Sequence, residues 1–166
     1  LVAVPGEKYI YSDFGPILLG KIMEKVTGRA LENLATSYVF RPLGMTSTLF
    51  NPDSTFLPRI APTEIDEQYE RGLVRGIVHD ERAWQLGGVA GHAGLFSTAT
   101  DLARYAQMMI NRGFYGGRRY FKRSTIEDFT RRQEIPTGSE RTLGWDTPSE
   151  EGSLAGDLFS PGSYGH

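Results

Sequence analysis

The sequence predicts a mainly helical α+β chain, on three observations. Apolar residues recur at the 3.6-residue period in two segments near the amino end and again after residue 98. A long middle stretch, Asn51 to Gly94, carries scattered Pro and Gly and no sustained period. Near the carboxyl end, Thr142-Leu143-Gly144-Trp145-Asp146 and Ser163-Tyr164-Gly165-His166 read as strand ends joined by a turn-rich segment.

The first helix is predicted from Phe14 to Val26, with Ile17, Leu18, Ile22, Met23 and Val26 on one face. Ser12 or Asp13 is its N-cap and Gly28 its stop. Pro16 is tolerated because the amide it lacks falls in the first turn, where no intrahelical partner exists. A second helix is expected from Ala30 to about Val39, burying Leu31, Leu34, Ala35 and Tyr38 and ending before Pro42 and Gly44. The two should form a helical hairpin. The 51–94 excursion should hold at most short elements. A structureless loop of that length is uncommon in a compact domain, so it is either functional or held by a neighbouring layer. The third helix is signalled by the capping box Thr98-Ala99-Thr100-Asp101, followed by Leu102, Tyr105, Ala106, Met109 and Ile110, with Gly113 as stop. A short helix from Ser124 to Arg132 would turn Ile126 and Phe129 inward. There is no internal repeat and no low-complexity tract.

Composition narrows the function classes. With 166 residues, 39% hydrophobic and 11% aromatic, the chain is globular and large enough for one domain with a real core. A net charge of −2 with interspersed acids and bases leaves no basic face for nucleic acid and no polybasic stretch for a membrane surface. No apolar run approaches the roughly 18 residues of a bilayer span, and the amino end lacks signal-peptide character. The chain begins at Leu1 rather than methionine, so its start is expected upstream, together with any export signal. The absence of cysteine excludes disulfide and thiol chemistry but suits an oxidising or a reducing compartment.

Several residues could carry chemistry. Tyr11 lies just before the first helix, where unpaired amides and the positive end of the macrodipole favour an anion. An ordinary tyrosine titrates near pH 10, so a phenol acting as base at neutral pH needs such help and a nearby cation. Alternatively Tyr11 is a half-buried aromatic beside Tyr9. Asp13 is a good helix cap by residue type, which is the plain alternative to a catalytic role. His79-Asp80-Glu81 with His92 offers imidazole and carboxylate donors, but the spacing fits no His-Glu-x-x-His helix and adjacent residues point in different directions; no metal is expected. Trp84, Trp145 and the tyrosines are too scattered for a sugar platform and read as core or cleft wall. Ser97 and Thr98 read as caps. The glycines from Gly87 to Gly94 mark a backbone that turns tightly or approaches another segment closely.

Taken in order, Tyr11-Ser12-Asp13, Phe40-Arg41-Pro42-Leu43-Gly44-Met45, the Gly87 to Thr98 stretch and the closing Ser163-Tyr164-Gly165-His166 resemble the serine β-lactamase, DD-peptidase and esterase superfamily, closest to its class C β-lactamase-like branch. In that superfamily three motifs meet in one cleft: Ser-x-x-Lys with the nucleophile, Tyr-x-Asn with a base, and Lys- or His-[Thr/Ser]-Gly on a strand. The second is present with Asp13 in place of asparagine, and the third stops after His166. The first is missing. The residues three before Lys8, Lys21, Lys25 and Lys122 are Pro5, Leu18, Ile22 and Arg119, and no serine sits in a Gly-x-Ser-x-Gly elbow.

The resemblance implies a β-lactamase/transpeptidase-like fold of which residues 1–166 are the central, mainly helical part with only the edge of the antiparallel sheet, cut at both ends. It implies an acyl-enzyme serine hydrolase acting on an ester, amide or β-lactam carbonyl of a small-molecule or peptidoglycan-like substrate, with no cofactor and no metal. The wording of the glycine stretch leans towards esterase-like and cell-wall members, hence a periplasmic, secreted or envelope location. Tyr11 would be the base, beside the lysine of the absent motif. Asp13 could pair with that lysine yet repel an anionic substrate, since an ionised carboxylate only accepts. His166 would position the substrate by a proton or positive potential. The glycine stretch would lie beside the cleft or serve as a crossover into the third helix. By itself the chain would be inactive and would need the rest of its own domain as a partner. Two other readings remain at this point: a non-catalytic module binding peptidoglycan or a protein, and an independent helical domain.

Overall fold

Periodic apolar residues and a glycine stop make the first helix where they predict it. In the computed structural model, which describes residues 2–149, 156, 158–160 and 162–166, α1 spans Phe14–Thr27. It closes at Gly28 in the left-handed region, φ 66°, whose amide donates to the Glu24 carbonyl. Its start uses Ser12, whose hydroxyl accepts from the Phe14 amide at 3.3 Å. Asp13 makes no side-chain cap because its carboxylate is bound to Arg82. The apolar stripe is not buried: Leu18, Ile22 and Met23 are exposed and Val26 is 79% exposed.

The second helix begins at α2, Leu31–Ala35, whose first amide donates to the Glu24 carboxylate at 3.0 Å and ties the hairpin together. It does not stop before Pro42. A π turn, Thr36–Phe40, leads into α3, Arg41–Leu43, which ends at left-handed Gly44. Proline lacks an amide and crowds the carbonyl one turn back, and the wider π turn accommodates both. The added residue also rotates the inward face. Phe40 and Leu43 join Leu34 in the core, while Tyr38 turns outward under the Arg29 guanidinium, 5.5 Å from its ring centre.

The excursion holds short elements, as expected. β1, Leu49–Phe50, pairs antiparallel with β4, Leu95–Phe96, in the register Leu49↔Phe96 and Phe50↔Leu95. Between them lie a 3-10 turn Ser54–Arg59, the hairpin β2, Glu64–Asp66, with β3, Gly72–Val74, and the short α4, Glu81–Gln85. Arg71 anchors the hairpin to the approach to α4. Its buried guanidinium pairs with Asp66 and donates to the Val78 and His79 carbonyls, both at 3.0 Å. The glycine stretch makes the expected close approach: a Cβ on Gly91 would overlap the Pro16 carbonyl oxygen of α1.

α5 spans Ala99–Ile110. Only half of the capping box forms: the Thr98 hydroxyl accepts from the Asp101 amide at 3.3 Å. The Asp101 carboxylate, on a residue 2% exposed, instead accepts from the Ser47 amide at 2.7 Å, the Thr48 hydroxyl at 3.0 Å and Arg104 at 2.6 Å. With Asp101 turned inward, the buried face continues through Met108 and Met109, and Leu102 and Ile110 are exposed rather than core. The helix ends where Gly113, φ 85°, donates to the Met108 carbonyl. A hairpin follows, β5, Phe114–Tyr115, with β6, Arg118–Arg119, then α6, Arg123–Thr130, which buries Ile126 but leaves Phe129 half-exposed.

The chain divides into two compact units, a terminal one of Leu1–Tyr11 with Gln107–His166 and a central one of Ser12–Ala106; the division falls within α5. The central unit holds most of the buried apolar residues, including Leu34, Phe40, Leu43, Met45, Val74 and Val78. Among the described residues, Met108, Met109 and Ile126 are those of the terminal unit.

Candidate active site

In the terminal unit the two strand ends pair. Asp146 and Gly165 form an antiparallel bridge, amide to carbonyl at 2.7 Å one way and 3.0 Å the other. Beside it, Trp145 and Tyr164 meet edge to face with ring centres 5.6 Å apart, and burial pushes the Tyr164 phenol up. A tight turn holds the Trp145 amide on the Thr142 hydroxyl at 3.1 Å, and Thr147 donates to the Glu140 carbonyl at 2.6 Å. These bonds fix where the Asp146 and His166 side chains start.

The two then meet. His166 Nδ1 lies 3.2 Å from Asp146 Oδ2, and its other nitrogen, Nε2, lies 3.4 Å from the Tyr11 hydroxyl. The Tyr11 and His166 rings stack with centres 6.0 Å apart and planes 23° apart. Arg141 adds a positive charge: it pairs with Asp146, and its guanidinium lies over the Tyr9 ring at 4.7 Å and the Tyr11 ring at 5.7 Å. Tyr9, Arg141, Asp146, Tyr164 and His166 line an open cleft of about 820 Å³. An imidazole, a carboxylate and a guanidinium that line the cleft, in series with the Tyr11 phenol, are equipped to hold and move a proton.

Tyr11 and His166 are thus brought together by the fold, although 155 residues separate them. Asp13 belongs to the central unit, where its carboxylate is neutralised by Arg82. Close by, Asp80 Oδ1 accepts from the Ala83 amide at 2.7 Å, capping α4, and pairs with His92 Nε2 at 2.8 Å. Burial pushes the Asp80 carboxyl up, but the Ala83 amide, His92 and the Arg82 amide together outweigh it and hold it below the ordinary value. One donor atom from each of Asp13, Asp80 and His92 lies within 4.8 Å of the others, a set that could accept a cation; Arg82 already supplies one to Asp13. His79 stands apart from this group, 3.6 Å from Glu64.

Sequence reasoning missed Arg141 and Asp146 in the terminal unit and Arg82 in the central one. The Thr142–Asp146 and Ser163–His166 strand ends were legible, but not the register that sets Asp146 against His166. Arg82 lies 69 residues from Asp13, with no spacing pattern to link them.

Known proteins resemble this chain along its whole length. Residues 1–166 match the family model described as Beta-lactamase. A Salmonella typhi protein named "Putative D-alanyl-D-alanine carboxypeptidase" is 38% identical over 177 residues, covering 98% of this chain and 40% of the relative. The chain therefore spans about two fifths of the length of the curated relatives it matches. Among solved structures, an octameric penicillin-binding protein homologue from Pyrococcus abyssi is 25% identical with a TM-score of 0.60, covering 87% of this chain and 31% of that one. A β-lactamase of Mycobacterium bovis, 19% identical, shares the fold with a TM-score of 0.63 over 99% of this chain and 50% of its own.

Proposed function

The chain belongs to the Beta-lactamase family, and from that premise we propose that it is part of a serine hydrolase working through an acyl-enzyme in cell-wall chemistry, on D-alanyl peptides or related esters and amides. The observation that carries this reading is the contact of Tyr11 with His166, which lines the cleft. At 3.4 Å it is long, as such contacts often are before substrate tightens them. A serine from a Ser-x-x-Lys outside these residues attacks the carbonyl, Tyr11 takes the hydroxyl proton, and water or an amine releases the acyl group. His166 positions the substrate. The residues present form the central, mainly helical part of a single domain. The uncovered apolar stripe of α1 and the two-fifths coverage of the relatives support a partner surface in the rest of that domain. A location in the cell envelope fits the same chemistry.

The test is intact-protein mass spectrometry of the full-length protein after brief exposure to a penicillin, with the adduct mapped. An adduct on the serine of a Ser-x-x-Lys supports the enzyme. One observation favours a second reading, a non-catalytic module for peptidoglycan or a protein. Asp13, where the superfamily has asparagine, is ion-paired with Arg82 and cannot donate to a substrate carbonyl. No adduct, together with no turnover of an ester or a D-alanyl-D-alanine peptide, would establish that reading instead.

A further inference from the structure

We propose that Asp146 is a positioning residue that fixes the tautomer of His166, with Arg141 locking Asp146 in turn, so that the Nε2 lone pair of His166 faces the Tyr11 hydroxyl as a proton acceptor. The catalytic consequence rests on the functional reading above; the tautomer does not. A carboxylate has no proton to give, so the 3.2 Å contact between Asp146 Oδ2 and His166 Nδ1 requires the hydrogen on Nδ1. In the neutral ring, Nε2 is then bare and 3.4 Å from the phenol oxygen. Arg141 engages the other carboxylate oxygen and, as a donor only, sets which way that group presents itself. The Arg141 guanidinium also lies over the Tyr9 ring, 4.7 Å from its centre.

The step this permits is balanced. As the nucleophile's O–H breaks, its proton goes to the Tyr11 oxygen, and the phenol's own O–H breaks as an N–H forms at His166 Nε2. The resulting imidazolium stands beside the Asp146 carboxylate, which stabilises it without being protonated. With the opposite tautomer, Nε2 would carry a hydrogen and could accept nothing from Tyr11.

Asp146→Asn tests the assignment. Arg141 can only donate, so it draws the amide oxygen of the new side chain and turns the NH2 towards His166. Nδ1 must then accept and Nε2 take the hydrogen. In 15N-histidine-labelled full-length protein, recorded well above the ordinary histidine value of about 6.5, long-range 1H–15N spectra should show His166 protonated at Nδ1 in the unaltered protein and at Nε2 in the variant. The same variant should lose about 10²- to 10⁴-fold in kcat, with KM within about threefold. Asp146→Ala removes the acceptor altogether and should show the same Nε2–H ring if the asparagine variant folds poorly. An Nε2–H ring in the unaltered protein, or the same tautomer in both, overturns the assignment. An inverted tautomer with unchanged kcat overturns its catalytic consequence. If the protein never forms an acyl-enzyme, the functional proposal falls while the spectra still decide the tautomer.

Discussion

Each unit contains a histidine held by an aspartate, and the two pairs are built for different ends. In the central unit His92 keeps 6% of its side chain exposed and uses Nε2, its partner Asp80 doubling as the cap of α4. In the terminal unit His166 keeps 54% exposed and uses Nδ1, leaving Nε2 towards Tyr11. The buried ring stands beside the Asp13 and Asp80 carboxylates, and its other nitrogen, Nδ1, meets no partner among the described residues. It is a strut between the glycine stretch and α4. The exposed ring has a phenol, a carboxylate and a guanidinium around it and a cleft before it. The same two residue types therefore make a brace where packing surrounds them and, on the function proposed above, a proton device where it does not.

The largest expected effect breaks the exposed side of this contrast. In the full-length protein Tyr11→Phe should lower turnover of the acyl substrate by about two to four orders of magnitude, the usual contribution of general acid–base catalysis. Steady-state kinetics with an unchanged kcat would remove Tyr11 from the mechanism. Next comes the buried side. His92→Ala empties a packed position and strands the Asp80 carboxylate, so urea unfolding should show a loss of about 2–4 kcal/mol. A smaller effect sharpens the role of Asp80. Its carboxyl is held low in the folded state, so the stability it adds is present above the ordinary value of about 3.9 and is lost as pH falls through the lower folded value. Asp80→Asn should make the fall of the urea midpoint on acidification shallower. A slope still remains, because Asp53 and Asp66 are also held low. Smallest of all, His166→Ala should cost under about 0.5 kcal/mol of stability, since its ring is largely in water. A loss as great as that of His92→Ala would erase the distinction between brace and device.

Local signals were legible where one residue type decides the backbone. Gly28 and Gly44 stop their helices in the left-handed region, and the 3.6 period places α1 and α5. The π turn ahead of Pro42 was not legible, because proline announces a break and says nothing of how a helix widens to absorb one. Tyr38 was accordingly expected inside and lies outside. The capping box was half right: Asp101 could close it by residue type, but a buried loop amide 54 residues away offers its carboxylate a better partner. At the site, Tyr11 and His166 were legible only through the superfamily's motif order. Asp146 and Arg141 depend on the register of the bridge between two strand ends that were themselves legible. Asp13 read as cap or catalyst; its side chain makes no cap and pairs with Arg82.

The buried carboxylate of Asp101 gathers the Ser47 amide, the Thr48 hydroxyl and Arg104, and Arg104 in turn reaches the Gly44 carbonyl at 2.7 Å. Just beyond, β1 meets β4. The long excursion is thus clasped at its neck, both ends fastened to the first turn of one helix. For a loop closed in this way, each doubling of length costs only about 0.6 kcal/mol of closure entropy. Descendants of this sequence can lengthen the excursion at its exposed turns, such as residues 67–68, so long as the contacts of Gly91 and Arg82 with the first helix stay in place.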